Sequence, residues 1–153
     1  MSQQAQALWS RRVFLKTSLL GMALLGSRLA LPDWASAQTA PTGRLRLLNL
    51  NTQERISVRY RSRTGQYDQR ALEDINYVLR CPHSDQVCEI DIQLLEYLNR
   101  IVNLVGPGKE VHISSAYRSP TYNAWLVRTG KGAAPNSLHT TGQALDISIP
   151  GVR

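Results

Sequence analysis

The sequence lacks an uninterrupted apolar run of the ~20 residues that a membrane-spanning helix needs. Its longest apolar stretch, residues 17–31, is broken by glycines, a serine and an arginine. Arg11 and Arg12 precede this stretch, and the small-x-small pattern Ala35-Ser36-Ala37 follows it. This order is typical of a cleaved twin-arginine export signal, with a membrane anchor as the alternative. We therefore predict a signal peptide at residues 1–37, a periplasmic location and no stable membrane insertion after cleavage.

The part of the chain that follows this signal is short. Removal of residues 1–37 from the 153-residue chain leaves 116 residues, which suits one compact domain and is too few for two. We predict a flexible linker at residues 38–43 and a single, monomeric domain at residues 44–153. The sequence contains no internal repeat and no low-complexity tract.

Acidic residues are scarce, since 11 Asp and Glu stand against 18 Lys and Arg and give a formal net charge of +7. The predicted signal holds four basic residues and one acidic residue, so +3 of this charge lies there and +4 remains. The remaining arginines alternate through residues 44–63, as expected for a solvated strand face. An exported protein meets little nucleic acid, so we predict no nucleic-acid partner; anionic cell-wall polymer suits this surface better.

Only two cysteines are present, and Cys81 and Cys88 flank a short loop that contains His83. A zinc knuckle that uses His83 lacks a fourth ligand nearby. In an oxidising compartment we predict a Cys81–Cys88 disulfide, which would contribute roughly 2–3 kcal/mol by restricting the unfolded chain.

Apolar periodicity predicts both strands and helices. Asp68 is a candidate helix N-cap, and Ser119-Pro120 matches a second N-cap followed by proline at the first helical position. The strongest helical pattern follows Asp91. A hairpin spans residues 44–61, helices follow Asp68, Asp91 and Ser119, and strands lie at residues 110–115 and 144–149. In the last strand Ala144, Asp146 and Ser148 share one face, while the opposite face is oily.

His139 and Asp146 are separated by seven positions, with Gly142 between them to permit a tight turn. If His139 ends one segment and Asp146 begins the strand after the turn, both side chains can converge, and the small Ala144 leaves room for an ion. An imidazole nitrogen and a carboxylate oxygen are suitable zinc ligands. On spacing alone, a surface histidine and an aspartate bonded to its own loop remain the alternative.

Two linked motifs carry a family resemblance. They are Ser115-Ala116-Tyr117-Arg118-Ser119-Pro120 and Ser137-x-His139-x-x-Gly142-x-Ala144-x-Asp146. Together, behind the export signal, they resemble the signature of M15-type zinc metallopeptidases. The likeness is greatest to twin-arginine-exported murein endopeptidases, once grouped as a domain of unknown function, and runs from about Arg44 to Arg153.

The resemblance implies a single small α+β domain, an antiparallel sheet with flanking helices, of the kind found in D-Ala-D-Ala carboxypeptidases. It implies one zinc ion and hydrolysis of peptide crosslinks in peptidoglycan, with stem peptides as substrate. His139 and Asp146 match two zinc ligands, and Arg118 matches an arginine that stabilises the oxyanion; a salt bridge that pins its loop is the alternative role. Ser137 matches a position near the substrate or the ligand loop.

The family places a third ligand, a histidine, downstream of the aspartate, and the sequence given ends at Arg153. His112 and His83 are weak substitutes by position. An interrupted reading frame, a partial sequence and a short paralogue that binds cell wall without catalysis remain open. If the chain is complete, we expect weak zinc affinity and little hydrolysis, because a catalytic zinc normally has three protein ligands.

Overall fold

The computed structural model describes residues 41–152. The predicted signal peptide and most of the predicted linker lie outside the described residues. Within residues 41–152, no helix is both long enough and apolar enough to cross a membrane.

A four-stranded sheet forms the centre of the domain. Its strands are β1 (Gly43–Asn49), β2 (Arg55–Arg61), β3 (Glu110–Ser115) and β4 (Asp146–Ser148), arranged in the order β2-β1-β3-β4. The predicted hairpin is confirmed, since β1 and β2 pair antiparallel. β3 and β4 also pair antiparallel, whereas β1 and β3 are parallel. The sheet is therefore mixed rather than wholly antiparallel, because the chain returns to β3 through a helical crossover.

Residues 41–152 contain three helices, and each begins where the sequence predicted. They are α1 (Gln69–Val78), α2 (Ile92–Val105) and α3 (Pro120–Arg128). The caps are Asp68, Asp91 and Ser119, and each accepts a hydrogen bond from a backbone N–H in the first turn of its helix. Such caps satisfy N–H groups that have no partner within the helix, which fixes where each helix starts.

The hydrophobic core lies between the sheet and the helices. It contains Leu45 and Leu47 from β1, Val111 and Ile113 from β3, Ile75 and Leu79 from α1 and its end, and Leu95, Leu98 and Val102 from α2. Ile147 packs against this core from β4, as predicted from the apolar face of that strand. A single core of this kind confirms a small α+β domain.

A buried ion pair joins β2 to α2. Arg61 Nε lies 2.6 Å from Glu96 Oε1, and the two side chains are 9% and 17% exposed. The neighbouring Tyr60 is buried and donates its hydroxyl to the Leu95 carbonyl at 3.2 Å. Burial raises the pKa of Tyr60 above its usual range, so the phenol stays protonated and remains a donor.

The predicted disulfide is not formed in the structure, where Cys81 and Cys88 are both free. Cys81 is buried, and its Sγ lies 3.6 Å from Ser119 Oγ, on the side of α3. Cys88 contacts the Glu89 carbonyl at 3.4 Å. Backbone bonds close the intervening loop instead, with Cys81 N–H donating to the Gln86 carbonyl at 3.0 Å. Sequence spacing placed the cysteines at the two ends of one loop, but it did not show where their thiols point.

Candidate metal centre and cleft

His139 is held in one orientation by a backbone carbonyl. It lies in a short 3-10 turn, Leu138–Thr141, and is 9% exposed. Its Nδ1 lies 2.7 Å from the carbonyl oxygen of Ala116, the residue after β3. A carbonyl only accepts hydrogen bonds, so Nδ1 carries the proton and the Nε2 lone pair is left available. Metal-binding histidines are held and polarised in this way.

Gly142 ends the turn in a conformation that other residues adopt poorly. Its φ is 69°, and a Cβ at this position would lie 2.5 Å from the Glu89 carbonyl oxygen. The Gly142 carbonyl accepts a hydrogen bond from Asp91 N–H at 3.1 Å, which ties the turn to the start of α2. The tight turn predicted at Gly142 is therefore present, and it brings the backbone close to Glu89.

Asp146 begins β4 and faces His139. Its Oδ2 lies 3.6 Å from His139 Nε2, and the side chain is 55% exposed. The β3–β4 register shifts between Ile113 and Ser115, so that Asp146 pairs with Ser115. Ser114 Oγ donates to the Asp146 carbonyl at 3.1 Å, which fixes the backbone at this irregularity. The convergence that the seven-residue spacing predicted is observed.

Arg118 contacts the same carboxylate from the end of β3. Its Nη2 lies 3.4 Å from Asp146 Oδ2, and its Nε and Nη2 donate to Ser115 Oγ at 3.0 and 2.9 Å. The Arg118 backbone N–H also donates to the His139 carbonyl at 3.0 Å. Sequence reasoning missed Ser115, which orients the guanidinium. The sequence offers one indication of this role, which is that Ser115 lies three residues before Arg118. The spacing becomes informative only once the register shift at β3 is known.

A cleft of about 330 Å³ opens beside Ser115, Arg118 and Asp146, and His139 is not among the residues that line it. Arg118 and Asp146 lie on its wall, and most of the other side chains that line it are polar or charged. These include Asn49, Asn51, Arg80, Ser114, Ser115 and Lys131. A polar cleft of this size suits a peptide better than an apolar ligand.

The other candidate residues lie elsewhere. His112 Nε2 lies 3.4 Å from Glu110 Oε1 on the exposed side of β3, and His83 stacks on Tyr122 with ring centroids 3.8 Å apart. Ser137 precedes the 3-10 turn, and its carbonyl accepts a hydrogen bond from Thr140 Oγ1 at 2.6 Å. Ser137 is not among the residues that line the cleft. Its predicted contact with substrate stays a prediction.

His139 and Asp146 fit zinc as a pair of ligands. Two ligands at ~2.1 Å from an ion in tetrahedral geometry lie ~3.4 Å apart, close to the observed 3.6 Å between Nε2 and Oδ2. Across the described residues, no group of three His, Cys, Asp or Glu side chains is placed to hold a metal ion. The donors described here therefore supply two positions of a tetrahedral site.

Comparisons with known proteins identify the family of the chain. The family of peptidases described as Peptidase M15_2, "Peptidoglycan L,D-endopeptidase MepK", matches residues 37–153. The chain belongs to this family. It is 35% identical over 135 residues to the peptidoglycan L,D-endopeptidase MepK of Escherichia coli K12, covering 88% of this chain and 74% of that protein.

A second relative, from Haemophilus influenzae, is described as a probable peptidoglycan L,D-endopeptidase MepK. It is 33% identical over 136 residues, covering 88% of this chain and 73% of the relative. No solved structure matches the chain significantly. The resemblance inferred from the two motifs is confirmed at the level of the family.

Proposed function

We propose that this protein is a zinc-dependent endopeptidase that hydrolyses peptide crosslinks in peptidoglycan. The observation that carries the proposal is the His139 imidazole, whose protonated Nδ1 bonds to Ala116 and whose Nε2 faces Asp146 at 3.6 Å. The relatives are described as peptidoglycan L,D-endopeptidases, one of them as probable, which supports this substrate and suggests an L,D-crosslink.

Each residue of the site has a role in this chemistry. His139 and Asp146 would hold the zinc ion, which when bound polarises a peptide carbonyl and lowers the pKa of a bound water. Arg118 presents a fixed cation on the cleft wall, where it can stabilise negative charge that develops on the carbonyl oxygen. Ser115 is a positioning residue, because its hydroxyl accepts from two nitrogens of that guanidinium.

A second candidate function is a wall-binding module without catalysis. It is favoured by one observation: the part of the chain that the structure describes supplies two metal ligands rather than three. Both candidate functions predict binding to peptidoglycan, but only the first predicts hydrolysis products.

Digestion of purified peptidoglycan distinguishes the peptidase from the wall-binding module. Wild-type protein is supplied with zinc and incubated with intact sacculi and with isolated L,D-crosslinked muropeptides, and products are resolved by chromatography and mass spectrometry. We expect monomeric muropeptides from the wild type and none from His139→Ala, whereas His112→Ala should retain activity because His112 contacts Glu110 and not the site. Co-sedimentation with sacculi without any product would instead support the wall-binding module.

We also propose that the domain acts in the periplasm after twin-arginine export, which is compatible with folding before secretion. This proposal rests on Arg11, Arg12 and the cleavage pattern at Ala35-Ser36-Ala37. Replacing both arginines with lysine should retain the precursor in the cytoplasm, as measured by cell fractionation. Continued export of the variant would refute the route.

A further inference from the structure

The segment that follows α3 places Lys131 on the cleft wall. Gly130 adopts φ 65° after the last helical residues, and its N–H donates to the Val127 carbonyl at 3.2 Å. Lys131 N–H donates to the Leu126 carbonyl at 3.0 Å. These two bonds form a Schellman motif, which fixes the backbone beyond a helix C-terminus. These hydrogen bonds therefore fix the Lys131 backbone at the end of α3.

An aromatic ring fixes the Lys131 side chain as well. Its Nζ lies over the Trp125 ring, 4.4 Å from the centroid. Trp125 stacks on Tyr122 at 5.7 Å between ring centroids, and Tyr122 stacks in turn on His83. The ammonium therefore contacts the last ring of a stack formed by His83, Tyr122 and Trp125, and this contact restricts a side chain that is otherwise flexible.

Lys131 differs from the other two cations of the cleft in its partners. Arg80 is paired with Glu54 at 2.7 Å and with Asp85 at 3.2 Å. Arg118 contacts Asp146. Within residues 41–152, no carboxylate lies within 4.0 Å of Lys131, and its described contact is the Trp125 ring. A held cation on the wall of a polar cleft, without a carboxylate of its own, is suited to bind an anionic group of a ligand.

We propose that Lys131 binds a free carboxylate of the peptide that occupies the cleft, and so selects peptides that carry this group beside the bond to be cut. The inference rests on the proposed function, since it assigns a substrate feature to the same cleft. An amide at the same position has no charge, so it would lose the charge-assisted hydrogen bond.

Binding of two matched peptides tests the proposal. Both are crosslinked stem peptides of identical sequence, one with the free carboxylate beside the crosslink and one with a carboxamide there. Binding is measured by calorimetry on the full chain without added metal, so the result does not depend on hydrolysis. Trp125 fluorescence is a second readout, assigned by its loss in Trp125→Phe, because the ligand would alter the cation that lies over the ring.

We expect the wild type to bind the carboxylate peptide about tenfold more tightly than the carboxamide peptide. Lys131→Met should bind both with the same weak affinity, and Lys131→Arg should restore part of the discrimination. Lys109→Met is the matched control, since Lys109 lies before β3 and does not line the cleft. It should discriminate like the wild type.

Equal affinity of the wild type for the two peptides, full discrimination by Lys131→Met, or no binding of either peptide would overturn the proposal. Thermal melting verifies that each variant is folded. If zinc-loaded protein cleaves both peptides equally, the carboxylate site fails while the peptidase function stands. If it discriminates in binding and cleaves neither, the peptidase function fails while the carboxylate site stands.

Discussion

At the scale of single residues, the geometry of the site depends on one glycine. Gly142 has a positive φ of 69°, and a Cβ added at this position would lie 2.5 Å from the Glu89 carbonyl oxygen. A left-handed conformation alone costs a non-glycine residue roughly 1–2 kcal/mol. The backbone clash adds to this cost, because a carbonyl oxygen cannot rotate away as a flexible side chain can.

We therefore predict that Gly142→Ala lowers the free energy of unfolding by about 2–4 kcal/mol and weakens zinc binding through displacement of His139. Gly132→Ala is the matched control. Gly132 has φ 74° and nothing within 4 Å of its would-be Cβ, so only the conformational cost of roughly 1–2 kcal/mol applies. Denaturant unfolding of both variants measures the difference. Equal losses of stability would contradict the close approach at Gly142.

At the scale of elements, the ion pair between β2 and α2 is the clearest test of how the sheet holds its helices. Glu96→Ala would leave Arg61, which is 9% exposed, without its carboxylate. Removing one partner of a buried pair costs about 3–5 kcal/mol, and the slight exposure here reduces this to about 2 kcal/mol. Chemical denaturation measures the loss. The control is Glu73→Ala on the exposed side of α1, for which we expect a change within about 0.5 kcal/mol.

The contact between the β1–β2 turn and the end of α1 predicts a dependence of stability on pH. Hydrogen bonds from Arg80 lower the pKa of Glu54 from its ordinary value of 4.5. A lowered folded-state pKa gives stability that is fully present above the unfolded-state pKa and is lost as the pH falls through the folded-state value. The pair is partly exposed, so the contribution at neutral pH is no more than about 1 kcal/mol.

Denaturant unfolding of the wild type and Glu54→Gln between pH 7 and pH 3 measures this contribution. We expect the wild type to be the more stable at neutral pH and its advantage to shrink below pH 4.5. An advantage that stayed constant through this range would show that Glu54 does not titrate with a lowered pKa.

The helix starts could be predicted from the sequence, whereas the pairing of the strands could not. Asp68, Asp91 and Ser119 marked the starts of the three helices within residues 41–152, because a cap is a local interaction between a side chain and its own helix. The parallel pairing of β1 with β3 was not predicted, since alternation reveals a strand and not the direction of its neighbour. The shift of register between Ile113 and Ser115, which pairs Asp146 with Ser115, was likewise not predicted because it depends on tertiary pairing.

At the scale of the whole molecule, the site joins the end of β3, the 3-10 turn and the start of β4. His139, Asp146 and Arg118 were identified from the motifs, and the structure brings all three together. Ser115 and Lys131 were not identified. Their roles depend on partners that local patterns do not reveal: the Arg118 guanidinium for Ser115, and the Trp125 ring for Lys131.

Zinc affinity tests the central claim, that His139 and Asp146 hold the ion. We propose competition titration against a chromophoric chelator for the wild type, His139→Ala, Asp146→Asn and the control His112→Ala. Removal of a ligand should weaken binding more than the roughly 10–100-fold loss that follows removal of a residue behind the ligands. We therefore predict that His139→Ala and Asp146→Asn each lose more than about tenfold in zinc affinity, while His112→Ala matches the wild type. Wild-type affinity in the His139→Ala and Asp146→Asn variants would contradict the assignment of the metal centre.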